Sequence, residues 1–328
     1  MPYRAVRFTF ARARAVPKLA AVPKLAALVM LAMLALAGVA DAAPMTLADY
    51  LALSGPAPTV RVAYGSAPSQ YAELFQPAGA GPFPVVVLVH GGCWTVEFGG
   101  IQQMRNVAGA LAARGIAVWN VEYRRVDEAG GGYPGMYQDL NAALATLRAV
   151  APRYHLDTGR LVAVGHSAGG QLVQWLAGRG RIAPSSPLYQ ADPLPVRHVI
   201  SLGGLADLRG QRQLIEHSCE RDVAQLTGHA TPQRPDVYAD TNAADLMPNG
   251  SSTVLVNGAF DTVSPPATAT AYAALATAAG DQASTLVLPE ASHYDEVAAT
   301  SPSWALILPL IEQALQISPT TITNQETP

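Results

Sequence analysis

Gly165-His166-Ser167-Ala168-Gly169 directly follows the apolar run Leu161-Val162-Ala163-Val164, and this junction restricts the chain more than any other stretch. A serine set between two glycines, after a strand-like run and before a helix beginning at Ala168, predicts a sharp strand-to-helix turn. Side chains at Gly165 and Gly169 would collide with the neighbouring strand and helix, and glycine removes them. The helix would aim its unpaired first N–H groups at whatever approaches Ser167. Five residues also arise by chance in an ordinary turn, so the surroundings decide what the motif means.

Those surroundings alternate. Val60 to Tyr64 and Tyr71 to Phe75 read as two short strands around Gly65-Ser66-Ala67-Pro68, an antiparallel opening hairpin. Val85 to Val89 is a continuous apolar run, as in a strand buried on both faces. Helix-like Ile101 to Arg114, strand Ile116 to Val121 and helix Gly135 to Val150 follow, then Leu161 to Val164 and helix Ala168 to Ala177. Beyond the motif come strands Val196 to Leu202, Thr253 to Val256 and Ser284 to Leu288, with helices Pro266 to Ala279 and Ser303 to Gln316. Strand and helix in turn predict an α/β fold with a mostly parallel sheet covered on both faces. Two segments break the pattern: the glycine-rich Val126 to Pro134, a surface loop, and Leu205 to Pro248, expected to lie over the strand ends as a cap.

The first 42 residues differ in kind. Arg4, Arg7, Arg12, Arg14, Lys18 and Lys24 precede the uncharged run Leu25 to Ala40 and then Ala40-Asp41-Ala42. Basic segment, apolar segment and small-residue site predict a secretory signal peptide over residues 1–42 and a single domain over 43–328. The apolar run is shorter than the ~20 residues that span a bilayer, so no membrane anchor is expected after cleavage. The tandem Ala-Val-Pro-Lys-Leu-Ala within it is a local duplication without a copy in the rest of the chain. A secreted or periplasmic location follows. The whole chain carries 21 basic and 24 acidic residues; six of the former and one of the latter lie in the leader, leaving 15 against 23, about −8. Phosphate binding needs a positive surface, so nucleic acid is not an expected partner. Cys93 and Cys219 are expected to pair in an oxidising compartment, with two buried thiols as the alternative.

A serine hydroxyl is a poor nucleophile until a base takes its proton, and that base needs an orienting carboxylate. His293, in Pro289-Glu290-Ala291-Ser292-His293-Tyr294 past the last strand, is the candidate base, and Asp261, after the preceding strand, the candidate acid. Solvated loop residues or a helix cap would be the plain reading of each alone; their order after Ser167 favours a triad. Asp207 is the substitute acid, with Glu290 and Asp295 as further competitors. His166 is expected to point away from the nucleophile, and His155, His198, His217 and His229 have no partner at metal-ligand spacing, so no metal is implied. His90-Gly91-Gly92-Cys93-Trp94, after Val89, would bring backbone N–H groups of Gly92 and Cys93 to a developing oxyanion, with Ala168 as the third donor.

On these residues, together with Glu122-Tyr123-Arg124 and the Asn257 to Asp261 turn with Pro265 beyond it, the sequence resembles the α/β-hydrolase superfamily. It is similar in particular to hormone-sensitive-lipase-like carboxylesterases, arylformamidases and bacterial feruloyl or acetylxylan esterases. The resemblance implies a serine hydrolase that needs no cofactor and acts on a small-molecule ester. Cys93 and Trp94 stand where the lipase-like pattern has a third glycine, and His166 where that group often has an acidic residue. The His-Gly-Gly-x-Trp form is closer to arylformamidases, so a formamide substrate stays open beside an ester. An exported peptidase of the same fold is a further alternative, and a non-catalytic binding protein of that fold the alternative of another class.

Overall fold

The computed structural model describes residues 43–316. The expected leader lies outside them. Among the described residues no helix is long and apolar enough to cross a membrane.

Eight strands form one sheet: β1 (Val60–Ala63), β2 (Tyr71–Phe75), β3 (Phe83–Val89), β4 (Ala117–Val121), β5 (Leu156–His166), β6 (His198–Leu202), β7 (Ser252–Gly258) and β8 (Gln282–Leu288). Their order is β1-β2-β4-β3-β5-β6-β7-β8. β1 and β2 pair antiparallel, as do β2 and β4; from β4 to β8 every pairing is parallel. β3 and β5 are neighbours although β4 intervenes in the chain, so the connection reverses direction between them. In a doubly wound sheet, ligands bind outside the carboxyl ends of the strands at such a switch point.

The helices are α1 (Leu47–Ala52), α2 (Arg105–Ala112), α3 (Gly135–Val150), α4 (Ala168–Gly178), α5 (Arg212–Ser218), α6 (Ala224–Thr227), α7 (Pro266–Ala279) and α8 (Trp304–Ala314). Alternate residues of β3 serve opposite faces, as the two-residue period of a strand demands. Val85, Val87 and Val89 pack with Leu140, Leu144 and Leu172 of α3 and α4. Val86 and Leu88 pack with Val107, Leu111, Ile307 and Ile311 of α2 and α8. β3 is buried at every position, and its unbroken apolar sequence reflects that two-sided covering.

Three elements differ from the expectation. β5 begins five residues early, because Leu156 and Asp157 pair with Phe83 and Pro84 before a register shift, and backbone pairing there needs no apolar side chain. The helix expected from Ile101 opens as a 3-10 turn, Ile101–Met104, whose entry is set by the Gly100 N–H donating to Gln103 Oε1 at 2.7 Å. α1 falls in the Pro-rich start. It is held by a reciprocal capping box in which Thr46 and Asp49 satisfy each other's free N–H groups.

The Leu205 to Pro248 segment contains α5, α6 and a short 3-10 turn, Ala243–Leu246. Cys219, at the end of α5, is bonded to Cys93 in the loop after β3, with their Cα atoms 5.4 Å apart. A link across 126 residues removes much of the freedom of the unfolded chain. Cys219→Ser is expected to reduce the unfolding free energy by about 2–4 kcal/mol, measured as a lower denaturant midpoint; an unchanged midpoint would show that the link contributes nothing to stability.

Candidate active site

Ser167 ends β5 and precedes α4 with φ 53° and ψ −118°, a left-handed geometry that a non-glycine residue adopts only under constraint. Its N–H donates to the Leu202 carbonyl at 2.8 Å and its own carbonyl accepts from Gln171 at 3.2 Å. The flanking glycines are required by close packing. A Cβ on Gly165 would stand 2.2 Å from the Gly169 carbonyl oxygen, and one on Gly169 would stand 2.1 Å from that of Val89. The turn is thus wedged between its own helix and the end of β3.

Asp261 and His293 follow β7 and β8, and both are buried. His293 Nδ1 lies 2.8 Å from Asp261 Oδ2. A carboxylate only accepts, so Nδ1 carries the proton and Nε2 is left with a free lone pair. Asp261 Oδ1 accepts the N–H groups of Val263 and Ser264, each at 2.8 Å, which fixes the carboxylate plane. Ser167 and His293 line one cavity of about 180 Å³ together with Gly92 and Cys93. A larger cavity of about 490 Å³ lies elsewhere, at Tyr133, Arg234 and Asp240, and has none of these four residues in its wall.

Gly92, Cys93 and Trp94 are consecutive left-handed residues, at φ 101°, 48° and 56°. The turn is closed by the Thr95 N–H, which donates to the Gly92 carbonyl at 2.9 Å. Ala168 is the first residue of α4, and its N–H has no acceptor within the helix. The loop is braced from beneath. Buried His90 places Nε2 2.7 Å from Glu122 Oε1, its carbonyl accepts the Tyr123 hydroxyl at 3.0 Å, and its ring stacks on Tyr123. Burial alone would raise the Glu122 carboxyl, but His90, Arg125 and the Tyr123 N–H together hold it below its ordinary value.

His166 does not turn away from the site. It lines the cavity beside Ser167, and its Nε2 donates to the His293 carbonyl at 2.9 Å, bracing the loop that carries the candidate base. Burial, and then the neighbouring His293, keep this imidazole well below its ordinary value, so it is a neutral strut. Asp207 is spent elsewhere: it accepts from Asn242 and from the Gly210 N–H. Asp295 accepts the Ser292 and Met45 N–H groups at 2.8 and 2.9 Å, tying the chain ahead of α1 to the His293 loop. Glu290 is an exposed turn residue at φ 53°.

Several cavity residues are not among the expected ones. Leu47 and Tyr50 come from α1, Phe98 from the loop after β3, Ser218 from α5, and Tyr294 follows His293. The Thr46-x-x-Asp49 pattern was a readable signal for α1, but nothing local says that this helix reaches the site. Among the described residues, one atom each of His166, His293 and Glu296 lie within 4.8 Å of one another. Of their ring nitrogens, His166 Nε2 and His293 Nδ1 have protein partners, while His166 Nδ1 has none among the described residues.

Residues 73–274 match the BD-FAE family. No curated protein matches the chain. Solved structures with the same architecture include esterase B from Lactobacillus rhamnosis, with TM-score 0.67 and 19% identity over 89% of this chain and 96% of that one. A truncated carbohydrate esterase from gut microbiota has TM-score 0.64 and 17% identity over 84% of this chain and 100% of that one. An acetyl ester-xyloside bifunctional hydrolase from Caldicellulosiruptor lactoaceticus has TM-score 0.60 and 16% identity over 81% and 100%. At such identities the likeness speaks for the fold, and the family match covers more than half of the chain: the protein belongs to the BD-FAE family and has the α/β-hydrolase fold.

Proposed function

We propose that the protein is an exported serine hydrolase that cleaves carboxylic esters through an acyl-enzyme. The observation that carries this reading is the 2.8 Å contact of buried His293 Nδ1 with Asp261, which leaves Nε2 free beside the cavity that Ser167 lines. Ser167 Oγ would attack the acyl carbon while His293 Nε2 takes its proton, and Asp261 would stabilise the imidazolium. The N–H groups of Gly92, Cys93 and Ala168 would receive the charge developing on the carbonyl oxygen. His293 would then protonate the departing alcohol, and water, deprotonated in turn by His293, would release the acid and restore Ser167.

Ester is favoured over formamide by the position of Trp94, the residue that carries the arylformamidase likeness. It packs fully buried in the core and is not among the residues that line the cavity. The names of the structural neighbours, carbohydrate and acetyl ester hydrolases among them, point the same way. A cavity of about 180 Å³ is smaller than the ~300–1,000 Å³ of drug-sized ligand sites and suits a short acyl group, with the alcohol left outside. Export is supported by the basic, apolar and small-residue order of the first 42 residues, and by a Cys93–Cys219 bond of a kind that persists in oxidising compartments.

Short p-nitrophenyl esters are expected to be turned over by the wild type, with Ser167→Ala reducing kcat by at least about 10³-fold and abolishing labelling by a fluorophosphonate. Undiminished turnover in the variant would remove Ser167 as nucleophile, and an unlabelled wild type would favour the binding protein. Because Cys93 belongs to the proposed donor loop, reducing the Cys93–Cys219 bond below the unfolding temperature should lower kcat more than it raises KM; equal activity in both redox states would uncouple the bond from the site. N-terminal sequencing of the exported protein should begin at Ala43, whereas a protein that keeps its first residues inside the cell would overturn the export reading.

A further inference from the structure

Glu296 lies three residues past His293, in a short 3-10 turn, Asp295–Val297, and none of its surface is exposed. Oε1 accepts the Gly258 N–H at 2.8 Å. Oε2 is buried and, among the described residues, has no hydrogen-bond donor. No Lys or Arg among those residues pairs with this carboxyl; the titratable groups that face it are Asp261, Asp295, His293 and His166. It sits against the edge of the imidazole. A Cβ placed on Gly203 would come 2.6 Å from Glu296 Oε2 and 2.7 Å from both Cε1 and Nδ1 of His293.

Both carboxyls stand at the same edge of the His293 ring: Asp261 Oδ2 lies 2.8 Å from Nδ1, and the space a Cβ on Gly203 would take borders both Nδ1 and Glu296 Oε2. Two buried carboxyls this close cannot both stay ionised, and one proton must be shared between them. Their surroundings decide which keeps it. Asp261 already receives three N–H donors, from Val263, Ser264 and His293. Glu296 receives one. Burial, then the neighbouring Asp261, push the Glu296 carboxyl well above the usual carboxylate range, in agreement with that imbalance.

We propose that Glu296 is a positioning residue of the hydrolytic site: it stays neutral and donates its Oε2 proton to the Asp261 carboxylate, locking that acid against His293. This rests on the Ser167, His293 and Asp261 reading above. A carboxylate has about four lone-pair positions, and the Glu296 proton fills the fourth. Asp261 then cannot rotate away from Nδ1. Its charge is also shared over four donors, so it holds the imidazolium less tightly.

The test compares Glu296→Gln, whose amide can still accept from Gly258 and donate to Asp261, with Glu296→Leu, which can do neither. Gln should keep kcat within about threefold and leave the acidic limb of the kcat/KM pH profile in place. Leu should lower kcat by about 10- to 100-fold at little change in KM and move that limb to higher pH. An infrared difference spectrum at neutral pH should contain a protonated-carboxyl band that is lost in Glu296→Gln, a readout that does not depend on the Leu variant folding. The proposal is overturned if the band is missing, if Gln loses as much activity as Leu, or if Gln moves the limb to lower pH, as removal of an ionised Glu296 would. Ser167→Ala separates the two levels. An active Ser167→Ala enzyme sinks the triad reading, while an inactive one together with a crippled Glu296→Gln enzyme sinks only the role of Glu296.

Discussion

The left-handed turn at Ser167 is the constraint on which the rest of the site depends. A residue with a side chain is held at φ 53° only if its surroundings leave it no alternative, and the surroundings here are backbone. Gly165 meets Gly169 inside the turn, and Gly169 meets the carbonyls of Val89 and His90 at the end of β3. Gly91, on the other side, leaves room for Ser167 itself: a Cβ there would stand 2.8 Å from that of the serine. The serine and the His-Gly-Gly loop are therefore packed as one unit across the gap between β3 and β5. That gap is the switch point of the sheet, where the chain leaves an opening above the strand ends.

What could be read in the sequence follows from this arrangement. Ser167, Asp261 and His293 each stand just past an apolar strand, and strand ends on one edge of a parallel sheet are brought together by topology alone. The strands of the sheet interior were legible for the same reason, since burial on both faces leaves no polar residue to blur them. The supports of the site were not legible. His166 and His90 act through bonds to groups far away in sequence, the His293 carbonyl and Glu122, and no local pattern announces such a partner. The first half of β5 is polar, and only its pairing with β3 makes it a strand. The reach of α1 into the cavity likewise depends on Met45 bonding to Asp295 from the opposite end of the chain.

The Cys93–Cys219 bond ties the Leu205 to Pro248 segment to the loop after β3. Cap segments are connected to their fold through their two chain ends, and their freedom is set by those hinges. Here a third attachment runs from the end of α5 into the loop after β3, so Ser218 and Cys93 meet in one cavity wall. A second tie runs from the Tyr133 N–H to the Gln225 carbonyl at 2.9 Å, joining the glycine-rich loop to the cap beside α6.

Asp295 and Glu296 are adjacent acids with opposite environments, and the difference comes from which way one turn of backbone sends each side chain. Asp295 faces the N-terminal segment, where the Met45 and Ser292 N–H groups and the Ser292 hydroxyl surround its Oδ2. Glu296 faces inward, where a single N–H and a neighbouring carboxylate await it. The first arrangement fastens the His293 loop to the start of the described chain; the second sets a buried carboxyl beside the His293 ring. Exchanging the two residues would leave composition and net charge unchanged, yet it would put the shorter side chain where reach to Gly258 is needed.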